Sequence, residues 1–112
     1  MNKLFFYTKV AECEQSPVIT ACKTFRQILE QNNISFTLVD INNTVQKQLN
    51  KDTNGAGTLP YFVIRNDNNE VIYHFGPNDI ELIVKTTYEN IDSFKEQAVT
   101  EFKRILTEYS VI

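Results

Sequence analysis

The stretch "AGTLPYFVI", Ala56 to Ile64, places a proline directly before a run of four apolar residues. Because proline has no N–H to donate to a sheet, it belongs at the first residue of a strand, on an edge strand or at a bulge. The apolar run therefore predicts a strand that begins next to Pro60. A polar turn, "NDNN", and a second run, "EVIYHF", follow this strand, and together they predict a β-hairpin.

The residues before this hairpin predict two strands joined by a helix. The stretch "KLFFYT" (Lys3 to Thr8) is typical of a buried strand, and "ISFTLVDI" alternates apolar residues on one face. Between them, Ser16 and Pro17 indicate a helix start, and apolar residues then recur at helical spacing as far as "QNN". A strand, a helix and a strand in this order favour parallel pairing with a right-handed crossover.

Further helices are expected around these strands. A short helix is predicted over Asn43 to Lys51, and Asn78 or Asp79 can cap a helix through "IELIVKTTY" after the "GPND" break. Asn90 or Asp92 can cap the last helix, whose apolar residues form one stripe. The order β-α-β-α-β-β-α-α predicts a mixed α/β fold, whose sheet has four strands with "LFFY" and "FTLV" at its centre. The predicted core residues are Phe6, Phe25, Leu29, Phe36, Leu38, Phe62 and Ile64.

The composition is that of a compact domain. The chain has 112 residues, of which 42% are apolar and 22% charged, enough to form one packed core. A net charge of −3, without a cluster of basic residues, argues against nucleic acid as the main partner. No segment suits a signal peptide or a membrane span, and Cys13 and Cys22 are too few for a disulfide scaffold. We therefore expect a cytoplasmic or other reducing intracellular compartment. His74 is the only histidine and has no ligand partners in sequence, so no metal site is predicted.

The order of elements and four short motifs resemble the thioredoxin fold in its minimal glutaredoxin form. Tyr7-Thr8-Lys9 resembles the end of that family's first strand, and the segment Cys22 to Ile41 resembles its first helix and second strand. Thr58-Leu59-Pro60 resembles the family's Thr-Val-Pro motif, whose proline is cis. The stretch "FGPND" (Phe75 to Asp79) resembles a degraded Gly-Gly-x-x-Asp turn.

This resemblance covers about residues 3–88. It implies a single glutaredoxin-like domain over residues 1–112, of the type β-α-β-α-β-β-α, with an additional C-terminal helix at about 91–109. The apolar stripe of that last helix can pack on the domain's own core or face a partner.

The resemblance also implies a ligand site around the proline. Lys9 would pair with a carboxylate of glutathione, the backbone of Leu59 with its cysteinyl unit, and Asp79 with its γ-glutamyl ammonium. Thr58 and Pro60 would complete this site. Three of these residues also have a structural interpretation, since Lys9 can be a solvated strand-end charge, Asp79 a helix cap and Pro60 only a strand start.

The position of the catalytic cysteine is occupied by another residue. Counting back from the helix places the family's Cys-x-x-Cys on Ile19-Thr20-Ala21-Cys22, and Ile19 cannot form the thiolate that attacks a disulfide. In this respect the chain is similar to the glutamic-acid-rich SH3-domain-binding proteins, although their proline-rich ligand motif is absent. The resemblance thus implies a module without a cofactor that acts in protein interaction or as a structural subunit of a larger assembly.

Cys13 offers an alternative. The stretch "CEQSP" is a Cys-x-x-Ser directly before the helix, as in monothiol glutaredoxins. A chain that used Cys13 would be a glutathione-dependent thiol-disulfide oxidoreductase, with glutathione as its cofactor. The neighbouring Glu12 and Glu14 disfavour a thiolate there, and Cys22 lies on the apolar stripe of the helix, which is typical of a core residue. Whether the chain is an enzyme is left open by the sequence.

Overall fold

The computed structural model describes residues 1–11, 21–55, 60–76 and 91–112, without the side chains of residues 21, 22 and 91–95. Its strands are β1 (Lys3–Thr8), β2 (Thr37–Asp40), β3 (Tyr61–Arg65) and β4 (Val71–Phe75). Its helices in these ranges are α1 (Ala21–Gln31), α2 (Asn43–Asp52) and α3 (Ile91–Glu108). The chain is a mixed α/β fold.

Over the described residues, the strands form one sheet in the order β2-β1-β3-β4. Strand β1 runs parallel to β2 and antiparallel to β3, and β3 runs antiparallel to β4. The prediction of a four-stranded mixed sheet is therefore confirmed. The prediction that the second strand lies at the centre is wrong, because β1 and β3 are the central pair. All five residues of β3 are buried, whereas Thr37 and Asp40 at the ends of β2 are exposed.

The main core lies between one face of the sheet and helices α1 and α3. Its centre is Phe62, whose ring stacks on Phe6 at a centroid distance of 4.9 Å and on Phe75 at 5.0 Å. Phe25 from α1 and Phe102 from α3 meet the same ring edge-on, at 5.7 Å and 5.1 Å. From Ala98 onward, the apolar stripe of α3 therefore packs on the domain's own core.

The predicted core residues divide according to their strand. Five are fully buried, namely Phe6, Phe25, Leu29, Phe62 and Ile64. Phe36 and Leu38 are only half-buried and pack against the edge of the core. The reason is the strand order, since Leu38 belongs to β2 and Phe36 directly precedes it, and an edge strand has a neighbour on one side only.

The opposite face of the sheet is covered by α2. Leu49 of this helix packs with Tyr7, Tyr61 and Val63 in a second, smaller cluster. The side chain of Asn42 caps the helix by accepting a hydrogen bond from the Val45 N–H at 2.9 Å. The helix predicted over residues 43–51 is confirmed, one residue longer at its C-terminal end.

The remaining predicted elements differ in outcome. The hairpin is confirmed, with a bulge at Ile64/Arg65, and the last helix ends one residue earlier than predicted. The second strand is shorter than "ISFTLVDI", since it covers only Thr37–Asp40. The predicted helix start at Ser16 and Pro17 and the helix through "IELIVKTTY" lie outside the described residues. None of the helices in the described ranges is both long and apolar enough to span a membrane.

Candidate functional site

The first candidate site is a corner of the sheet, where β1 ends and β3 begins. Tyr7 pairs with Tyr61 in the antiparallel register, so Lys9 and Pro60 lie beyond this pair at the same end of the two central strands. Lys9 is exposed and Pro60 is half-buried. The structure therefore brings two of the predicted ligand residues to one end of the sheet.

The end of β2 reinforces this corner. The Ile41 N–H donates to the Thr8 carbonyl at 3.0 Å, which extends the parallel pairing by one step. The Asp40 carboxylate accepts a hydrogen bond from the Val10 N–H at 3.1 Å. The chain that leaves β1 is thus tied to the end of the neighbouring strand, and Lys9 lies within this tied segment.

The other predicted site residues lie outside the described residues. Thr58, Leu59 and Asp79 are among them, and so are Cys13 and Ile19. The expected cis bond before Pro60 involves Leu59 and stays a prediction for the same reason. The backbone of Cys22 belongs to α1, but its side chain is not described.

A second polar site, which the sequence interpretation missed, lies under α2. The Arg65 guanidinium donates from Nη2 to the Asp52 carboxylate at 2.7 Å and to the Tyr7 hydroxyl at 3.2 Å. Its Nη1 donates to the Asn69 carbonyl at 3.1 Å. The side chains of Arg65 and Asp52 are only 10% and 17% exposed, so this ion pair is largely removed from water. We call Tyr7, Asp52 and Arg65 the Arg65 cluster.

Charge and hydrogen bonding favour the ionised forms of Asp52 and Arg65. Burial raises the pKa of Asp52, but hydrogen bonds from Arg65 and Gln48 and the charges of Arg65 and Lys51 outweigh it, so the pKa lies below its ordinary value. Burial lowers the pKa of Arg65, but the bonds to Asp52 and Tyr7 outweigh it, and the pKa lies above its ordinary value. Both groups are therefore charged near neutral pH, which suits a structural ion pair rather than proton transfer.

The Arg65 cluster joins segments that are far apart in sequence. It connects Tyr7 on β1, Asp52 at the last turn of α2 and Arg65 on β3. The guanidinium carbon also lies 5.8 Å from the ring centre of Phe5, a cation–π distance. Since Asp52 is the last residue of α2, the cluster fixes the point at which the chain leaves this helix.

Beside the Arg65 cluster lies a pair formed by Tyr61 and His74. The Tyr61 hydroxyl and His74 Nδ1 are 2.6 Å apart and share a hydrogen bond. A Cβ placed on Gly76 would come within 3.0 Å of the Tyr61 ring, so the absence of a side chain at Gly76 leaves room for that ring. This gives a physical role to the glycine of "FGPND". Strand alternation places His74 on the face of α2, where its ring meets the Tyr61 hydroxyl.

An open cleft of about 400 Å³ adjoins these groups. Its walls are Asp52, Val71, Ile72, Tyr73 and His74. Both carboxylate oxygens of Asp52 are engaged, one by Arg65 and the other by Gln48 at 2.9 Å. No group of three His, Cys, Asp or Glu side chains in the described part of the chain is placed to hold a metal ion.

The Arg65 cluster had a weak signal in the sequence. In "YFVIR", strand alternation puts Arg65 on the same face as Tyr61 and Val63, which are buried. A buried arginine needs an acidic partner, because an unpaired buried charge is costly. Asp52 is one of several nearby acidic residues, however, and the sequence alone does not select it.

Comparison of the chain with protein-family models, with curated protein sequences and with solved structures gave no significant match.

Proposed function

We propose that the chain has the thioredoxin fold of glutaredoxin type, with an additional C-terminal helix. The sheet order β2-β1-β3-β4 supports this proposal, since its one parallel pair is followed by two antiparallel pairs. Further support comes from the helices, with α1 and α3 on one face of the sheet and α2 on the other. The order of the described elements, a βαβ unit, a helix, a hairpin and a last helix, also agrees with the order on which the resemblance rests.

We further propose that the domain acts in protein interaction, as a binding module or a subunit of a larger assembly, without thiol catalysis. The observation that carries this proposal is the sheet corner, where Lys9 and Pro60 lie at the same end of the two central strands. In a fold of this type the corner holds an extended ligand. In this sequence the position of the attacking cysteine holds Ile19. A domain of this kind binds its ligand but does not react with it.

The ligand of this corner would be an extended peptide segment, for which glutathione is a small-molecule counterpart. The proposed contact does not depend on an exposed apolar patch of this domain. Among the described residues the large apolar side chains that are exposed are Met1, Ile72 and Ile112, and two of these are terminal. The contact would instead use the charge of Lys9 and the backbone beside Pro60.

A charge reversal at the corner tests the binding proposal. Tagged wild type, Lys9→Glu and Lys103→Glu are used to capture partners from the protein's own cells. Lys103 is an exposed lysine of α3, so its variant has the same change in net charge at a distant place. We expect wild type and Lys103→Glu to retain the same partner and Lys9→Glu to lose it. Retention by Lys9→Glu would place the contact elsewhere.

Thiol catalysis is tested separately. We expect only background turnover in a glutathione-coupled reduction of a small mixed disulfide, because the attack requires a thiolate at the helix start. Strong wild-type turnover that disappears in Cys13→Ser would overturn the proposal in favour of a monothiol enzyme. Turnover that survives Cys13→Ser but is lost in Cys22→Ser would assign the reaction to Cys22.

Binding of glutathione at the sheet corner is tested by titrating the isotopically labelled protein with glutathione. We expect the amide resonances of Lys9 and Val10 to shift in wild type. In Lys9→Glu, the resonances of the same two positions should shift less. If these resonances do not move at high glutathione concentration, glutathione is excluded as a ligand of the corner. The proposed ligand is then only the peptide segment of a partner.

A further inference from the structure

The single Asn-Gly step of the chain, Asn54-Gly55, lies in the turn that follows α2. Both residues are exposed, and both have positive φ angles, of 54° and 80°. A Cβ built on Gly55 would meet no atom within 4 Å, so the space around this glycine is open. In the described part of the chain, no hydrogen bond involves the side chain of Asn54. No side chain on Gly55 therefore hinders the approach of its backbone nitrogen to the Asn54 amide.

We propose that Asn54 is a site of spontaneous deamidation that alters the end of α2. The backbone nitrogen of Gly55 loses its proton to hydroxide and attacks Cγ of Asn54. The new N–C bond closes a succinimide ring. The Cγ–Nδ2 bond of Asn54 breaks, and its nitrogen takes a proton from water and leaves as ammonia, which regenerates the hydroxide. Water then opens the ring at either carbonyl, which leaves aspartate or isoaspartate at position 54. A water molecule is consumed and ammonia is released, without any oxidation or reduction.

The fold controls the rate of this reaction through one hydrogen bond. The Gly55 N–H donates to the Asn50 carbonyl at 2.8 Å, which closes the last turn of α2. A nitrogen held in this way is not available for attack, so the turn must open before the ring forms. The opening of this turn is restrained by the ion pair between Asp52 and Arg65. Deamidation at Asn54 is therefore coupled to the attachment of α2 to the sheet.

Two other asparagines provide matched comparisons within the same molecule. Asn33 and Asn69 are also exposed, with φ angles of 55° and 63°. Their next residues are Ile34 and Glu70, whose side chains hinder the backbone nitrogen. The three sites thus share exposure and backbone conformation and differ in the residue that follows.

The product changes the turn that follows α2. A new carboxylate at position 54 lies at the C-terminal end of α2, where the helix carbonyls already carry partial negative charge. Isoaspartate also lengthens the backbone at the turn, which displaces the Gly55 N–H from the Asn50 carbonyl. We expect the modified protein to hold the last turn of α2 less firmly.

The test is a time course at mildly alkaline pH, followed by peptide mass mapping and enzymatic detection of isoaspartate. We expect product at Asn54 to form several-fold faster than at Asn33 or Asn69, and no product at position 54 in Asn54→Gln. Equal rates at the three asparagines in the native protein would overturn the assignment of the site.

Two further measurements test the control by α2. We expect deamidation at Asn54 to be several-fold faster in Arg65→Met, with the rate at Asn33 unchanged. The wild-type chain unfolded in denaturant provides a reference that does not depend on how well that variant folds. A native rate at Asn54 equal to the unfolded rate would show that the hydrogen bond to Asn50 does not restrain the reaction.

Discussion

The two faces of the sheet are closed in different ways. Under α1 and α3 the contacts are aromatic and aliphatic, with the Phe62 ring between Phe6 and Phe75 at 4.9 Å and 5.0 Å. Under α2 the apolar cluster is smaller, and an ion pair between Arg65 and Asp52 lies beside it. The face under α1 and α3 is held by the burial of apolar area. The face under α2 depends more on an ion pair and a few hydrogen bonds.

This difference separates stability from positioning. Apolar burial stabilises a fold roughly in proportion to area, about 25 cal/mol per Å², and has little directional preference. A buried ion pair contributes less net free energy, because both charges lose their hydration, but it requires a particular geometry. We therefore expect the α1/α3 face to supply most of the stability and the Arg65 cluster to fix the position of α2.

The largest effect is expected for Phe25→Ala. Phe25 is fully buried, and its ring meets those of Phe62 and Phe102 edge-on. Its loss removes buried area and leaves a cavity, so the free energy of unfolding should fall by about 3–5 kcal/mol. Denaturant melts measure this change, with Ile72→Ala at an exposed position of β4 as the control. A near-neutral result for Phe25→Ala would contradict the burial of this face of α1.

Arg65→Met is expected to have the next largest effect. It leaves the Asp52 carboxylate largely buried without its cation, which should cost about 2–3 kcal/mol, since Asp52 keeps some contact with water. The matched variant is Arg65→Met combined with Asp52→Leu, which removes both charges. We expect this double variant to be more stable than Arg65→Met alone. If it is less stable, the charge pair is not the source of the loss.

Gly76→Ala tests the room around the Tyr61 ring. The new methyl group would lie 3.0 Å from one ring carbon and 3.2 Å from another, while the ring is held by its hydrogen bond to His74. We expect a loss of about 1–2 kcal/mol from overpacking. The same substitution made in a Tyr61→Leu background should cost much less, and an unchanged cost there would exclude the Tyr61 ring as the cause.

The smallest expected effect is on pH dependence. The pKa of Asp52 is lower in the folded protein than its ordinary value, because the bonds and charges around it outweigh burial. A carboxyl group of this kind stabilises the fold above its unfolded pKa of about 3.9, and the contribution is lost as the pH falls through the folded pKa. Wild type should therefore be more stable than Asp52→Asn above about pH 5, and the difference should shrink below about pH 4.

Denaturant melts of the two proteins across this range measure the difference. Asp67, whose pKa is lowered by a hydrogen bond from the Met1 ammonium, is present in both proteins, so its contribution cancels. A difference that stays constant into acid would show that Asp52 does not titrate as part of this pair.

Much of the fold could be predicted from local patterns. The proline before "YFVIR" and the polar turn after it predicted the hairpin, and helical spacing predicted α3. The order of the strands in the sheet was harder to predict. It depends on comparing the alternating pattern of "ISFTLVDI" with the continuous apolar run of "YFVIR" to decide which strand is central. The continuous run is typical of a strand covered on both faces, and β3 is indeed central. Alternation fits the edge strand β2, so the prediction that this strand lies at the centre gave too little weight to that pattern.

The candidate site was only partly accessible to the same reasoning. The antiparallel register of β1 and β3 brings Lys9 and Pro60 to one end of the sheet. In the sequence, only the family resemblance placed these two residues in one site. The Arg65 cluster depends on contacts between Tyr7, Asp52 and Arg65, which lie on three different elements. No spacing in the sequence selects one acidic partner among several, since that choice depends on how α2 crosses the sheet.

The bulge at Ile64/Arg65 has a consequence for association between molecules. A second sheet can add to a strand only if the strand offers a regular row of backbone groups, and the bulge interrupts this regularity beside β4. At the opposite edge of the sheet, strand β2 has only four residues, and one of them is the charged Asp40. We therefore expect the domain to remain free of sheet-to-sheet polymerisation in concentrated solution.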